Sequence, residues 1–113
     1  MNFEEFEKTI GFRFKNKSFL KQAFTHRSFI NENRSSGLKH NERLEFLGDA
    51  VLELVITDFL YERFKEMNEG ELTSLRSALV NADTCSLVAQ KLGVNDYLLL
   101  SKGESKDSGR ARQ

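Results

Sequence analysis

A chain of 113 residues with 39% apolar content and ten phenylalanines suffices for one domain with a modest core. Seventeen basic residues balance seventeen acidic ones, which excludes a polybasic affinity for nucleic acid, and no apolar run approaches the ~20 residues of a membrane span. The acidic start MNFEEFEKT lacks the apolar stretch of a secretory signal, and Cys85, being alone, allows no intrachain disulfide and fits a reducing cytoplasm.

The absence of proline and the small number of glycines suit a helical chain. Residues 3–9 predict a short helix that stops at Gly11. FRFKNKS is a connector, with Asn16 or Ser18 as the N-cap of the second helix. Residues 18–26 have helical spacing at Phe19, Ala23 and Phe24, with Leu20 beside them. Residues 31–39 read as a polar loop. Asn41 is placed to cap a long helix running to about Phe64. Gly70 separates that helix from the next, ELTSLRSALVN, and Asp83 is placed to cap another, TCSLVAQKLGV, ending at Gly93. DYLLL is short, helical or extended, and the chain from Ser101 onward is polar without a core-facing pattern. No repeat and no long β-alternation is present, so the expected fold is an all-α helical bundle.

The segment HNERLEFLGDAVLE, residues 40–53, holds the most chemistry. At about 100° per residue its carboxylates Glu42, Glu45, Asp49 and Glu53 fall within an arc of roughly 80°. Like charges one turn apart cost a helix a few tenths of a kcal/mol each. The rest of the helix is apolar almost all round, from Leu44, Phe46 and Leu47 to Phe59 and Leu60, and such a helix is expected to be buried. Unpaired buried carboxylates are costly. A solvated acidic stripe is one resolution, and a divalent cation held by oxygen ligands is the other.

HNERLEFLGDAVLE closely resembles the signature of the ribonuclease III family. FTHRS at 24–28, EGELTSLRSALVNADT at 69–84 and LGVNDYLLLSKGE at 92–104 agree with the same family, so the resemblance covers essentially the whole chain. It implies an α-helical endonuclease domain that cleaves double-stranded RNA, rRNA precursors included, as a cytoplasmic homodimer with Mg²⁺ or Mn²⁺. The products it implies carry a 5′-phosphate and a short 3′ overhang. The family's catalytic domain continues past a GRAR-type segment into a helix with an Asp and a Glu three apart. Residues 1–113 are thus expected to be a ribonuclease III catalytic domain incomplete at its C-terminus, with no double-stranded-RNA-binding domain. Two alternatives stay open: a catalytically silent dimerisation or RNA-binding module, and a helical protein-interaction domain with no role on RNA.

By the resemblance, Glu45 and Asp49 are catalytic and hold the metal. Glu42 is a supporting acid, although an acid in the first turn also favours the helix dipole. The resemblance makes Phe46 the ring that enters a pocket on the other subunit, and it brings Lys102, Arg110 and Arg112 near the RNA. Arg43 and Arg76 are weaker candidates for phosphate contacts. Glu53 reads as structural, Gly48 as a close approach of another helix, and Cys85 as a small core residue. His26 and His40, each without a second ligand at metal spacing, read as hydrogen-bonded or capping side chains. Apolar surface on Leu54, Val55, Leu79 and Val88 is expected to lie uncovered.

Overall fold

In the computed structural model, which describes residues 2–106, helix α1 (Glu4–Ile10) opens with three acids at its positive end. It stops at Gly11, whose φ of 69° suits a residue without Cβ. Asn16 caps α2 (Lys17–Ala23) by accepting the Ser18 N–H, which decides between the two candidate caps. This helix ends earlier than its apolar spacing predicts. The reason is long-range: Leu99 forms an isolated parallel bridge with Thr25, which is fully buried and leaves the helix to pair with it.

Helix α3 (Arg27–Glu32) was not expected. Six residues show too little periodicity to be read, and its start signal is His26, which accepts the Ser28 N–H at 3.1 Å. A 3₁₀ turn, Arg34–Ser36, leaves only part of 31–39 irregular. Helix α4 (Glu42–Arg63) has nearly the predicted extent, but Asn41 does not cap it with its side chain. The Asn41 amide instead donates to Ala23 O at 2.9 Å, and His40 Nδ1 accepts the Glu42 N–H at 3.4 Å. Helix α5 (Glu69–Leu79) starts at a capping box of Asn68 and Glu71, so Gly70 lies inside its first turn rather than before it. Asn81, not Asp83, caps α6 (Ala82–Lys91). A 3₁₀ turn at Val94–Asp96 and the short α7 (Lys102–Lys106) complete the described chain. The architecture is all-α, with no strand beyond the single bridge among the described residues.

The core lies at the N-terminal end. Phe3, Phe6, Leu20 and Phe24 form it, with the Tyr97 ring 5.5–5.9 Å from three of them, and Leu92, Val94 and Leu98 pack against it. Helices α1 and α2 are thereby sealed by the segment C-terminal to α6. Helix α4 packs along α5, but of its many apolar residues only Leu60 is buried. This corrects the expectation of a buried helix: Phe46, Leu54, Val55 and Phe59 are all more than half exposed. Leu54, Val55, Leu79 and Val88 are uncovered as expected. Exposed apolar residues at this density on one helix point to a contact face. No described helix is long and apolar enough to cross a membrane.

One buried charge shapes the entry to α2. The Glu7 carboxylate accepts from Lys17 Nζ at 2.5 Å and from the Phe14 N–H at 2.6 Å. The Lys17 hydrogen bond, then the Phe14 N–H, hold the Glu7 carboxyl below its ordinary value near 4.5 against the opposing effect of burial. A depressed native pKa stabilises the fold above the unfolded value and loses that contribution as pH falls through the native one. Urea midpoints of the native chain are therefore expected to drop as pH falls below about 4.5, and Glu7→Gln to flatten that segment of the profile while lowering stability at pH 7. An unchanged acid limb in Glu7→Gln would assign it to other carboxylates.

Candidate functional site

Helix geometry puts Glu42, Glu45 and Asp49 along one side of α4, and the fold turns that side into one wall of an open concavity of about 820 Å³. Val80, Asn81 and Cys85, from the junction of α5 and α6, line it opposite. Asn81 is there because it caps α6, a placement that no local sequence signal links to the acids. Cys85 is half-buried on this wall, not in the core as expected.

The four acids of the stripe are not equivalent. Arg27 Nη1 sits 3.4 Å from Glu42 Oε1. Arg76 Nε sits 4.0 Å from Glu53 and its Nη1 donates to Thr57 Oγ1 at 3.0 Å. The outer two carboxylates are thus each matched by an arginine from another helix. Among the described residues, the inner two, Glu45 and Asp49, are in no ion pair. Arg76 thereby ties α5 to α4 through Thr57, with Glu53 beside it. Exposed pairs of this kind are worth little in stability, so their effect is on where charge is left free.

The stripe is solvated, so the burial cost that first pointed to a cation does not operate among the described residues. What points to one is the free inner pair. Two carboxylates one turn apart suit Mg²⁺, which binds through one or two carboxylates and keeps several waters. Among the described residues no group of three or more His, Cys, Asp or Glu side chains stands close enough to hold a metal. The arrangement therefore fits a water-rich site and not a closed protein cage.

Phe46 is 84% exposed on the rim of the concavity, which excludes a core role within the described chain. A Cβ on Gly48 would meet nothing within 4 Å, so no described helix makes the close approach expected there. His26 and His40 are capping side chains, as read from the sequence. Arg43 is exposed and lines a second hollow with Phe46 and Lys39. Lys102 is exposed at the start of α7 and does not line the acidic concavity. Arg110 and Arg112 lie outside the described residues. Arg27 is the site residue that the sequence did not single out; its only signal was its place in FTHRS.

A family model for Ribonuclease-III-like proteins matches residues 16–113. The protein named Ribonuclease 3 of Listeria monocytogenes is 48% identical over 109 residues, covering 96% of this chain and 48% of that protein. That of Bacillus velezensis is 48% identical over 110 residues, covering 97% and 44%. The chain spans about half the length of the curated relatives it matches. A solved nuclease domain of ribonuclease III from Campylobacter jejuni superposes with a TM-score of 0.82 at 41% identity, covering 93% of this chain and 69% of that one. That structure is described for flexibility in a region involved in dimer formation.

Proposed function

The chain belongs to the ribonuclease III family, and from that membership we propose that it forms the part of a Mg²⁺-dependent endonuclease for double-stranded RNA that bears the first acidic pair. The observation that supports this most is the state of the acidic stripe: Glu45 and Asp49 are free on an open concavity while Arg27 and Arg76 occupy the acids on either side. In this reading Glu45 and Asp49 hold Mg²⁺, or Mn²⁺ in its place. When bound, the cation supplies Lewis acidity at the scissile phosphate. Glu42 adds negative potential to the same concavity with its carboxylate held by Arg27, a supporting role.

Hydrolysis forms a bond from water oxygen to phosphorus and breaks the P–O3′ bond, leaving a 5′-phosphate and a free 3′-hydroxyl. Two copies, each cutting one strand, leave a short 3′ overhang, and the exposed Phe46 ring is the contact proposed to hold them together. Lys102 contacts duplex phosphates, and so do Arg110 and Arg112 in this reading; duplex RNA is bound mainly through phosphates and 2′-hydroxyls. Structured precursors, rRNA among them, are the proposed substrates, and the cytoplasm the proposed location. The match covers 93% of this chain and 69% of the solved Campylobacter nuclease domain, and in this reading a further helix of the complete domain brings the second acidic pair.

The second reading is a catalytically silent dimerisation or RNA-binding module, in which the exposed Phe46 ring and the basic residues act without a metal. A cleavage assay separates the two. With Mg²⁺, duplex RNA and a single-stranded control, residues 1–113 alone are expected to leave both intact, and joining the segment with the second acidic pair to restore cleavage of the duplex only. Duplex binding without cleavage by the completed domain would establish the silent module. Robust cleavage by residues 1–113 alone would show that the first acidic pair suffices.

A further inference from the structure

Residues Phe24 to Ser28 join the end of α2 to the first turn of α3, with His26 as the extended N-cap, and they make hydrogen bonds and an ion pair to two parts of the molecule that the proposed function assigns to the RNA. Toward α4, Thr25 O accepts the Asn41 N–H at 2.9 Å and Arg27 pairs with Glu42 at 3.4 Å. Toward α7, the His26 N–H donates to Leu99 O at 2.9 Å, and Ser28 Oγ accepts the Ser101 N–H at 2.9 Å. Ser28 Oγ also stands 2.7 Å from His26 Nδ1, which accepts the Ser28 N–H at 3.1 Å. A ring nitrogen that accepts a backbone N–H carries no proton, so the Ser28 hydroxyl is the donor in this contact. Donation therefore runs one way, from Ser101 N–H to the Ser28 hydroxyl to His26 Nδ1. The next helical turn repeats the grip: the Glu32 carboxylate accepts the Lys102 N–H at 3.2 Å.

We propose that His26 and Ser28 are positioning residues that hold the start of α7, with Lys102, at a fixed spacing from the acid-bearing start of α4, so that one RNA duplex engages both. The inference rests on reading Lys102 as a phosphate contact. Neither side chain touches RNA; each acts through the Ser101–Lys102 backbone.

The test is a double-mutant cycle on the full chain, reading duplex RNA affinity against salt. Lys102→Ala is expected to weaken binding and to lower the salt slope by about one, the loss of one phosphate contact. Ser28→Ala, with Lys102 intact, is expected to lower the slope toward the same value. The double variant is expected to be no worse than Lys102→Ala, because coupled groups do not add. Ser28→Thr keeps the hydroxyl, and His26→Asn keeps a capping acceptor; both are expected to retain the native slope, which separates positioning from a general loss of fold. Additive losses in the cycle, or failure of Ser28→Thr to rescue, overturn the inference and leave the reading of Lys102 standing. An unchanged slope in Lys102→Ala, or an unsubstituted chain that binds no duplex, overturns that reading and the inference with it.

Discussion

Asp49→Ala is expected to abolish Mg²⁺-dependent cleavage of duplex RNA by the complete nuclease domain, and Glu45→Ala to do the same. Loss of even an outer-shell partner of a metal site costs about 10- to 100-fold in affinity or activity, so removal of a direct ligand should exceed about 100-fold. Both side chains are exposed, and substitutions at such positions usually shift stability by no more than about 0.5 kcal/mol. Circular dichroism and the thermal midpoint should therefore stay near native while turnover disappears. Glu53→Ala is the internal control. It lies on the same arc but is matched by Arg76, so it should lose a weak tie between helices and keep most activity. Near-native turnover in either Asp49→Ala or Glu45→Ala would remove the inner pair from the metal site, and a loss in Glu53→Ala equal to theirs would mean that the arginines do not sort the acids.

In the proposed dimer, Phe46→Ala is expected to shift the equilibrium toward monomer. The ring is 84% exposed in the single chain, so its removal costs the monomer little, and nearly all of any penalty must come from assembly. An isologous contact uses the same patch on both copies, so one substitution removes two rings from the interface. Truncation of a central aromatic anchor costs about 2–4 kcal/mol, or about 30- to 1000-fold in the dimer dissociation constant. Sedimentation equilibrium across a concentration series reads this directly, and circular dichroism confirms that the monomer stays helical. A dimer of unchanged affinity would place Phe46 outside the interface and leave the exposed apolar face of α4 to another contact.

The local parts of this protein were legible because their causes are local. The extent of α4 reflects a long run of helix-forming residues bounded by polar stretches, and the common face of Glu42, Glu45, Asp49 and Glu53 comes from helical periodicity alone. Helices α5 and α6 were placed for the same reason, although α5 starts at Asn68 with Gly70, the expected separator, inside its first turn, and Asn81 rather than Asp83 caps α6, shifts that only the hydrogen bonds decide. Helix α3 escaped because six residues hold too little periodic signal.

Tertiary structure alone decided which acids are free. Arg27 and Arg76 reach Glu42 and Glu53 from other helices, and nothing in the sequence around an arginine names its partner across the fold. The same holds for Thr25, whose burial depends on Leu99 arriving from the far end of the chain, and for Ser28, whose partner Ser101 is 73 residues away. The exposure of α4 is the clearest case. Its composition demands an apolar neighbour, but burial belongs to the pair of surfaces and not to the helix, and among the described residues only α5 packs substantially along it. Periodicity is a property of one segment and can be read from it; burial, ion pairing and long-range hydrogen bonds need a second segment, whose position is set by how the whole chain closes on its core.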